Sequence, residues 1–179
     1  MERVTERLIL REFRADDWVH TQRYESDPEV VRYQTFNIFT PEESRDYIQR
    51  CMSDAQALTR RTYDLAITIK GDDTVVGRIG LHLSHPELGQ ATVWYLLRRD
   101  LWGKGYMTEA LASMLDLAFK ELKLRRVIAD TDPANAGSIR VLEKVGFRQE
   151  SHHIENIWIK GKWCDTLGFA ILDREWLVK

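Results

Sequence analysis

The sequence has few cysteines and no long apolar run. Only two of its 179 residues are cysteine, Cys51 and Cys164, too few for a disulfide framework or a zinc site, and each is expected to be a lone reduced thiol. No apolar stretch approaches the length of a membrane span, and the charged opening over residues 1–14 does not fit a secretory signal. We therefore expect a cytoplasmic protein without a membrane partner.

The sequence also lacks a strong excess of either charge. Its 26 basic and 28 acidic residues give a formal net charge of -2, so nothing attracts nucleic acid globally and no nucleic-acid partner is expected. With 44% hydrophobic and 30% charged residues and no long polar linker, residues 1–179 are most simply one globular domain. Composition leaves open whether the protein is a monomer or a homodimer.

Two familiar phosphate-binding motifs are absent. No G-x-x-x-x-G-K-[ST] run is present, which excludes a nucleotide P-loop. A dinucleotide-binding G-x-G-x-x-G would need a third glycine where Thr108 stands, although Asp130, at the end of the next predicted strand, resembles the ribose-binding acid of that fold. Too few residues follow this segment for the usual set of alternating strands and helices. A nicotinamide oxidoreductase is therefore only a third hypothesis.

The most informative segment that is present is the loop W-G-K-G-Y-M-T over residues 102–108, between a predicted strand and a predicted helix. Its two glycines permit backbone conformations closed to other residues and allow N–H groups to approach a ligand closely. A strand, a glycine loop and a helix N-terminus in this order supply free amides and the positive end of a helix dipole. The segment predicts a phosphate site, and a tight turn without a ligand is the structural alternative.

Hydrophobic periodicity predicts the remaining elements. It indicates a first strand near residues 7–13, helices over 18–25 and 41–58, and a meander of strands over 63–69, 75–83 and 92–97. Asp16 and Asp17 are predicted to cap the first of these helices, and T-P-E-E over residues 40–43 predicts a capping box for the second. A helix over 108–121, a strand over 126–130, a helix over 138–145 and a hairpin over 150–172 follow. Helical crossovers imply parallel pairing in the second half. This order predicts an α+β (α/β) fold, a mixed, mostly antiparallel twisted sheet of about seven strands with helices on both faces.

A second segment, D-P-A-N-A-G-S-I-R-V-L-E-K-V-G-F, starts thirty residues after the loop begins. Together the two segments resemble the GNAT superfamily of acetyl-CoA-dependent N-acetyltransferases, whose loop reads Q/R-x-x-G-x-G/A and whose next helix begins N-x-x-S and ends G-F. Trp102 and Met107 depart from that loop pattern. W-G-x-G-Y-x-T-E-A instead resembles the RimJ/RimL branch, the ribosomal-protein-alanine/serine N-acetyltransferase type. The opening T-E-R-L-I-L-R-E-F and the closing G-K-W-C-D-T-L-G-F-A-I-L resemble the same branch.

The resemblance implies a GNAT fold and acetyl-CoA as cosubstrate, with no metal. The loop amides would bind the pyrophosphate, and Lys104 would either add a local positive charge or remain a solvated side chain. In the family, the strand before the loop bulges and pairs with the pantetheine arm, which Asn135 would also contact while capping its helix. By position, the implied cofactor-binding residues are Leu96, Leu97, Trp102, Gly103, Lys104, Gly105, Tyr106, Met107, Thr108, Asn135 and Ser138.

Acetyl transfer to an amine requires a neutral nucleophile, a stabilised oxyanion and a proton for the departing thiolate. Ser138 stands where the RimJ/RimL branch has a serine near the CoA sulfur, so it is the candidate proton donor; its alternative role is to support the first helical turn. Many other members use a tyrosine four residues later, where Leu142 stands here. Glu155 on the penultimate strand is a candidate base, although Ile157, two residues away on the same predicted strand face, matches best by spacing. Water can also take the proton.

The acceptor is expected opposite the cofactor, between the first two helices and the terminal hairpin. Aromatic side chains in that region would favour a flat or apolar amine, whereas Glu25 and Asp27 would attract an ammonium group; the aromatic residues are Trp18, Tyr24, Tyr33, Phe36 and Phe39. His152 and His153 are adjacent on a strand and point to opposite faces, so no metal is assigned to them.

The resemblance thus predicts an N-acetyltransferase for a primary amine, with the α-amine of a protein N-terminus placed ahead of a small-molecule amine. The alternative is an inactive acyl-CoA-binding sensor or scaffold with the same fold.

Overall fold

The computed structural model describes residues 1–178, and its eight strands form one mixed sheet. The strands lie in the order β1-β2-β3-β4-β5-β6-β8-β7, and the parallel pair among them is β5 with β6. Their bounds are β1 Glu2–Val4, β2 Leu8–Arg11, β3 Thr62–Ile69, β4 Asp72–His85, β5 Gln90–Leu97, β6 Arg126–Thr131, β7 Arg148–Ile159 and β8 Lys162–Leu172. The predicted mixed, mostly antiparallel sheet is confirmed.

The helices are α1 (Trp18–Glu25), α2 (Pro41–Gln56), α3 (Tyr106–Asp116), α4 (Ala136–Val145) and α5 (Asp173–Trp176). The capping box predicted for α2 is present, since the Thr40 hydroxyl accepts from the Glu43 N–H at 3.2 Å and the Glu43 carboxylate accepts from the Thr40 N–H at 2.7 Å. After α3 the chain continues as a π-helical turn over Leu117–Glu121. Across residues 1–178, no helix has both the length and the apolarity that crossing a membrane requires.

Three details differ from the sequence prediction. The short strand β1 was not predicted and brings the count from about seven to eight. The strand β8 lies between β6 and β7, so the crossover through α4 joins parallel strands that are not neighbours. Asp17, predicted to cap α1, makes no side-chain cap, because its carboxylate accepts from the buried Arg11 guanidinium at 2.7 Å.

Apolar side chains cover both faces of the sheet. On one face, α3, its π-helical extension and α4 pack on alternate strand residues such as Leu65 and Ile67. On the other face, α1, α2 and the residues between them pack on the intervening positions, including Ala66 and Leu96. The alternation along each strand therefore decides which of two packed layers a side chain joins.

The strands β5 and β6 separate after a short paired stretch. They pair in register only from Gln90 with Arg126 to Thr92 with Ile128. Beyond this point β5 stays paired with β4 and β6 with β8, so their facing edges have no strand partner among the described residues. The separation opens a gap that passes through the sheet between its two helical layers.

A glycine in β4 shapes one wall of this gap. Gly80 pairs with Asp64 on β3 and with Trp94 on β5, and the Trp94 indole lies where a Gly80 side chain would be. A Cβ atom at Gly80 would stand 2.2 Å from the indole carbons, too close for any real contact. The indole therefore crosses the sheet surface toward Asp64 only because residue 80 is glycine.

Replacing Gly80 with alanine is expected to displace the indole and lower the free energy of unfolding by about 1–3 kcal/mol, the usual cost of overpacking. Urea denaturation followed by circular dichroism measures the change. Gly137→Ala in α4 is the matched control, because a Cβ atom there meets its nearest neighbour at an ordinary 3.6 Å. A Gly80→Ala protein as stable as the parent would contradict this packing.

Candidate active site

A cavity of about 630 Å³ opens where β5 and β6 separate. Val93, Trp94 and Tyr95 line it from β5, and residues 129–131 line it from β6. Further lining residues come from α2, β3, β4, the segment before α2 and the start of α4. The cavity is therefore built at the gap, from elements of both helical layers.

Side chains from the two faces of the sheet meet in this cavity. Tyr95 belongs to the layer of α3 and α4, where it packs against the core cluster of that face. Asp64 and Trp94 share a row across the sheet with Gly80, and they lie on the face covered by α1 and α2. Because Tyr95, Trp94 and Asp64 all line the cavity, it passes through the sheet.

Ser138 and Tyr95 form the polar pair on the α4 side of the cavity. Their hydroxyl oxygens are 2.9 Å apart, and the Tyr95 hydroxyl also lies 3.3 Å from the Ser138 carbonyl oxygen. Asn135 caps α4, since its side-chain oxygen accepts from the Ser138 N–H at 3.1 Å. Burial raises the pKa of Tyr95 to about 12, so this phenol stays protonated at neutral pH. The sequence prediction did not single out Tyr95.

The loop over residues 102–108 has the backbone that its glycines predict. Gly103 and Gly105 have φ angles of 73° and 82°, in the left-handed region that glycine occupies without strain. Gly105 is the N-cap of α3, and its carbonyl accepts the first intrahelical bond, from the Glu109 N–H at 3.1 Å. The N–H groups of Tyr106, Met107 and Thr108 therefore have no acceptor within the helix.

An ion pair fixes this loop to the start of β2. The Glu109 carboxylate accepts from the Thr5 hydroxyl and from the backbone N–H and Nε of Arg7, at 2.5 to 2.7 Å. Arg7 also donates to the Lys104 carbonyl oxygen at 3.0 Å. Burial alone would raise the pKa of Glu109, but these hydrogen bonds outweigh it and lower that pKa. The loop is thus held by residues about a hundred positions away, which periodicity could not indicate.

Three side chains of this loop make their contacts with other parts of the protein. Trp102 donates its indole N–H to the Leu97 carbonyl oxygen at 2.7 Å, Tyr106 lies under the Arg7 guanidinium, and Met107 is buried in the core. The Lys104 side chain is exposed. The groups of this loop that are positioned for a ligand are consequently its backbone amides.

The bulge expected at Leu96 and Leu97 is not present. Both side chains are buried, and the register of β5 on β4 runs without a shift from Gly77 with Leu97 to His82 with Thr92. A free edge arises instead from the separation of β5 from β6, which leaves residues 93–97 unpaired on that side. The backbone groups of Leu96 and Leu97 on this edge are therefore unpaired because β5 separates from β6, and not because β5 bulges.

The structure does not bring Glu155 to the cavity. Its side chain is exposed on β7, its φ angle is 45°, and its backbone N–H donates to Asp165 at 2.9 Å. A register shift between His153 and Ile157 breaks the alternation on which the sequence comparison of Glu155 with Ile157 depended. Glu155 is not among the cavity-lining residues that include Asn135 and Ser138.

The N-terminal aromatic residues divide into two groups. Tyr33, Phe36 and Phe39 line the cavity, and the Tyr33 hydroxyl donates to the Ala134 carbonyl oxygen at 3.1 Å. Tyr24 is fully buried and Trp18 stacks with a guanidinium at 3.9 Å, both away from the cavity. Three of the five aromatic residues singled out in the sequence therefore line the cavity, all from the segment before α2.

The acidic residues of the cavity are not those the sequence indicated. Glu25 is buried behind the cavity wall and Asp27 accepts from a backbone N–H in its own turn. The aspartates that line the cavity are Asp54, Asp64, Asp130 and Asp132. Asp64 stands out in the sequence as a charge within the apolar strand T-Y-D-L-A-I-T-I, which is the signal in the sequence that marks this position.

A buried ionic cluster supports this wall. Arg78 donates to Glu25 at 3.0 Å and to the Tyr47 hydroxyl, which in turn donates to Asp64. Arg78, Glu25 and Asp64 are all less than 5% exposed. Burial raises the pKa of both Glu25 and Asp64, and the Arg78 guanidinium opposes that rise in each case. The ionisation of Glu25 and Asp64 therefore depends on the balance between their burial and the charge of Arg78.

Among residues 1–178 there is no group of three or more His, Cys, Asp or Glu placed to hold a metal ion. His152 pairs with the Asp165 carboxylate at 2.8 Å on the surface of the terminal hairpin. His153 lies opposite Thr166 in the ladder of β7 with β8.

Comparison with known proteins shows which family the chain resembles in sequence and structure. The model of the acetyltransferase (GNAT) domain matches residues 7–148. The uncharacterized N-acetyltransferase p20 of Bacillus licheniformis is 35% identical over 173 residues, covering 96% of each chain. A GNAT-family acetyltransferase structure from Bacillus anthracis superposes with a TM-score of 0.87 at 31% identity, covering 98% of this chain and 100% of the other.

The RimJ protein of Mycobacterium smegmatis, solved with CoA-disulfide, superposes with a TM-score of 0.81 at 26% identity, covering 94% of this chain and 83% of the other. The chain belongs to the GNAT acetyltransferase family, and its similarity to RimJ confirms the predicted branch.

Proposed function

We propose that this GNAT acetyltransferase moves an acetyl group from acetyl-CoA directly to a primary amine, either the α-amine of a protein N-terminus or a small-molecule amine. The observation that carries the proposal is the hydrogen-bonded pair of Ser138 and Tyr95 at one end of a cavity that passes through the sheet. One helical layer offers a glycine loop for the cofactor, and the other offers an aromatic and acidic wall for the acceptor.

The cofactor side fits CoA on two grounds. The left-handed glycines and the start of α3 direct free amides outward, which suits a pyrophosphate, and the unpaired edge of β5 suits the amides of a pantetheine arm. The GNAT family uses acetyl-CoA, and the RimJ relative was solved with a CoA derivative. We assign the pyrophosphate to the amides of Gly103–Thr108 and the pantetheine arm to Leu96, Leu97 and Asn135.

Ser138 would supply the proton that the leaving thiolate needs. When the amine attacks the thioester carbon, the new C–N bond forms and the C–S bond breaks, leaving its electron pair on sulfur. We assign to the Tyr95 phenol, which is protonated at neutral pH, the role of donor to the Ser138 hydroxyl oxygen 2.9 Å away, an arrangement that would leave the serine proton for the sulfur. Tyr95 is in this scheme a positioning residue for Ser138.

Direct transfer also agrees with the state of the cysteine in the cavity. Cys51 lines the cavity from α2, but its side chain is buried and burial raises the pKa of its thiol well above the usual range. A neutral thiol is a poor nucleophile. An acetyl-cysteine intermediate is therefore disfavoured.

Ser138→Ala is expected to lower kcat by roughly ten- to a thousandfold, the usual contribution of a general acid, and to leave CoA affinity nearly unchanged. Thiol release from acetyl-CoA is measured with benzylamine, spermidine and tetrapeptides that carry a free N-terminal alanine or serine; calorimetry gives CoA affinity. Ser26→Ala is the control, since the Ser26 hydroxyl bonds only within its own turn, to Arg23.

Equal rates for Ser138→Ala and the parent would contradict the assigned role. If the parent binds CoA and releases thiol with none of the amines, the acyl-CoA-binding sensor becomes the better interpretation. The relative kcat/KM for the peptides and for the small amines identifies the kind of acceptor.

Gly105→Val is expected to abolish CoA binding in calorimetry, because a β-branched residue is strained at a φ of 82° and its Cβ atom would press on the Arg7 guanidinium, 3.4 Å away, which holds the loop amides in place. Gly161→Val is the matched control, since Gly161 has a φ of 81° at the tip of the terminal hairpin with nothing within 4 Å of its Cβ position. Both variants carry the same backbone strain, but only Gly105→Val should lose CoA. Unchanged CoA affinity in Gly105→Val would place the pyrophosphate elsewhere.

A further inference from the structure

The acceptor side of the cavity contains a carboxylate oxygen without a partner. Four buried side-chain polar atoms of the described chain have no hydrogen-bond partner, on Tyr24, Glu25, Ser44 and Asp64. Of these residues only Asp64 lines the cavity. Its side chain is 4% exposed, its Oδ2 accepts from the Tyr47 hydroxyl, and its Oδ1 is the unpartnered atom. A buried acceptor atom in this state costs free energy unless a donor reaches it.

The position of Asp64 follows from the sheet register. Asp64, Gly80 and Trp94 lie side by side on β3, β4 and β5. The absence of a side chain at Gly80 lets the Trp94 indole lie beside the carboxylate, where its N–H lowers the pKa of Asp64, whereas the charge of Asp54 on α2 raises it. Asp64 therefore reaches the cavity from the face of α1 and α2, opposite the layer that holds Tyr95 and Ser138.

The local charge is incomplete without a cation. Two buried carboxylates, Glu25 and Asp64, face one guanidinium, Arg78, at 3.0 Å and 3.8 Å. Glu25 takes the closer pairing from behind the wall, which leaves Asp64 with the longer contact on the cavity side. With both carboxylates ionised the cluster carries one excess negative charge, which a bound ammonium group would neutralise.

We propose that Asp64 receives the ammonium group of the acceptor and takes its proton, acting as the general base of the acetyl transfer. This inference rests on the proposed function. It identifies the base for which sequence analysis offered Glu155, which lies outside the cavity.

The protons balance across the cavity. The ammonium N–H bond breaks and its proton moves to Asp64, which leaves a neutral amine with a free electron pair. That pair forms the C–N bond as the C–S bond breaks, and Ser138 protonates the sulfur. Ser138 recovers its proton from the nitrogen of the new amide through solvent, and Asp64 releases its own proton to solvent, so the sum is an amide, CoA thiol and one proton.

The same wall selects the class of acceptor. Four aspartates and two arginines line the cavity, and one of the arginines, Arg78, is already paired with Glu25. The rings of Tyr33, Phe36 and Tyr47 on this wall already face arginine guanidinium groups of the protein, so the carboxylates are what attract a cation here. The preferred substrate is thus a cationic amine whose nitrogen has no carboxylate next to it, and a free amino acid is disfavoured.

Asp64→Asn tests the base directly, because it keeps the shape of the side chain and removes its charge. The probes are the amine with the highest kcat/KM in the panel above and a fluorinated analogue of it, whose nitrogen is less basic. Asp64→Asn should lower kcat by about 10²–10⁴-fold at pH 7. In the parent, kcat should fall as the pH drops through one midpoint, the same for both amines, because Asp64 sets it. In Asp64→Asn the midpoint should follow the basicity of each amine.

Two further variants separate this role from a structural one. Glu25→Gln removes a carboxylate from the same guanidinium but outside the cavity, so it should change the free energy of unfolding and keep the shared midpoint. Tyr47→Phe removes a hydrogen bond that holds down the pKa of Asp64, so the midpoint should move to higher pH. If circular dichroism shows that Asp64→Asn does not fold, the shift of the midpoint in Tyr47→Phe still tests the role of Asp64. A shared midpoint retained in Asp64→Asn, or lost in Glu25→Gln, would overturn the assignment.

Failure of the proposed function gives a different result. If the parent binds CoA and acetylates no amine of the panel, calorimetry with benzylamine and the CoA-loaded protein tests Asp64 by itself. Binding to the parent that weakens at least tenfold in Asp64→Asn and not in Glu25→Gln would support cation capture at Asp64. No binding to the parent would overturn it.

Discussion

The structure depends most on a constraint of the backbone, the early separation of β5 from β6. Each strand of this parallel pair contributes three paired residues and then follows a different neighbour, β4 for β5 and β8 for β6. An intact sheet would seal α1 and α2 from α3 and α4 and would leave no unpaired edge. Because the strands part, consecutive residues Trp94 and Tyr95 point to opposite faces and still line one cavity. Such a passage suits the proposed two-substrate reaction, since each substrate could then approach from its own layer.

The buried ionic cluster indicates which wall of the passage carries chemistry. A buried guanidinium with its carboxylates rarely stabilises a fold more than apolar residues of the same volume would, whereas removing one partner typically costs about 3–5 kcal/mol. Arg78, Glu25 and Asp64 therefore add little stability for the desolvation they require. Their arrangement does hold a carboxylate at a fixed place in an otherwise apolar layer. The desolvation cost of these buried charges has a functional explanation if that carboxylate binds a ligand.

The sequence predicted well what neighbouring residues determine. The capping box at Thr40, the glycine loop before α3 and the Asn135 cap of α4 each depend on four or five consecutive residues, and all are present. Contacts between distant strands were not accessible in this way. The Arg7 contact with Glu109 and the Tyr95 contact with Ser138 need the register of several strands. The same limit explains Glu155, whose facing was inferred from alternation that a register shift in β7 interrupts.

The division between backbone and side-chain chemistry explains why the resemblance identified the cofactor and not the acceptor. Loop positions such as Trp102 and Met107 can depart from the general motif because their side chains contact the protein itself, and the groups proposed to bind the pyrophosphate are amides that every residue but proline has. A loop pattern therefore stays recognisable across members with different substrates. The proposed acceptor wall is built from individual side chains on α2, β3, β4 and β5. One substitution at Asp64 or Gly80 would change that wall without altering any motif, so specificity has to be inferred from the assembled cavity.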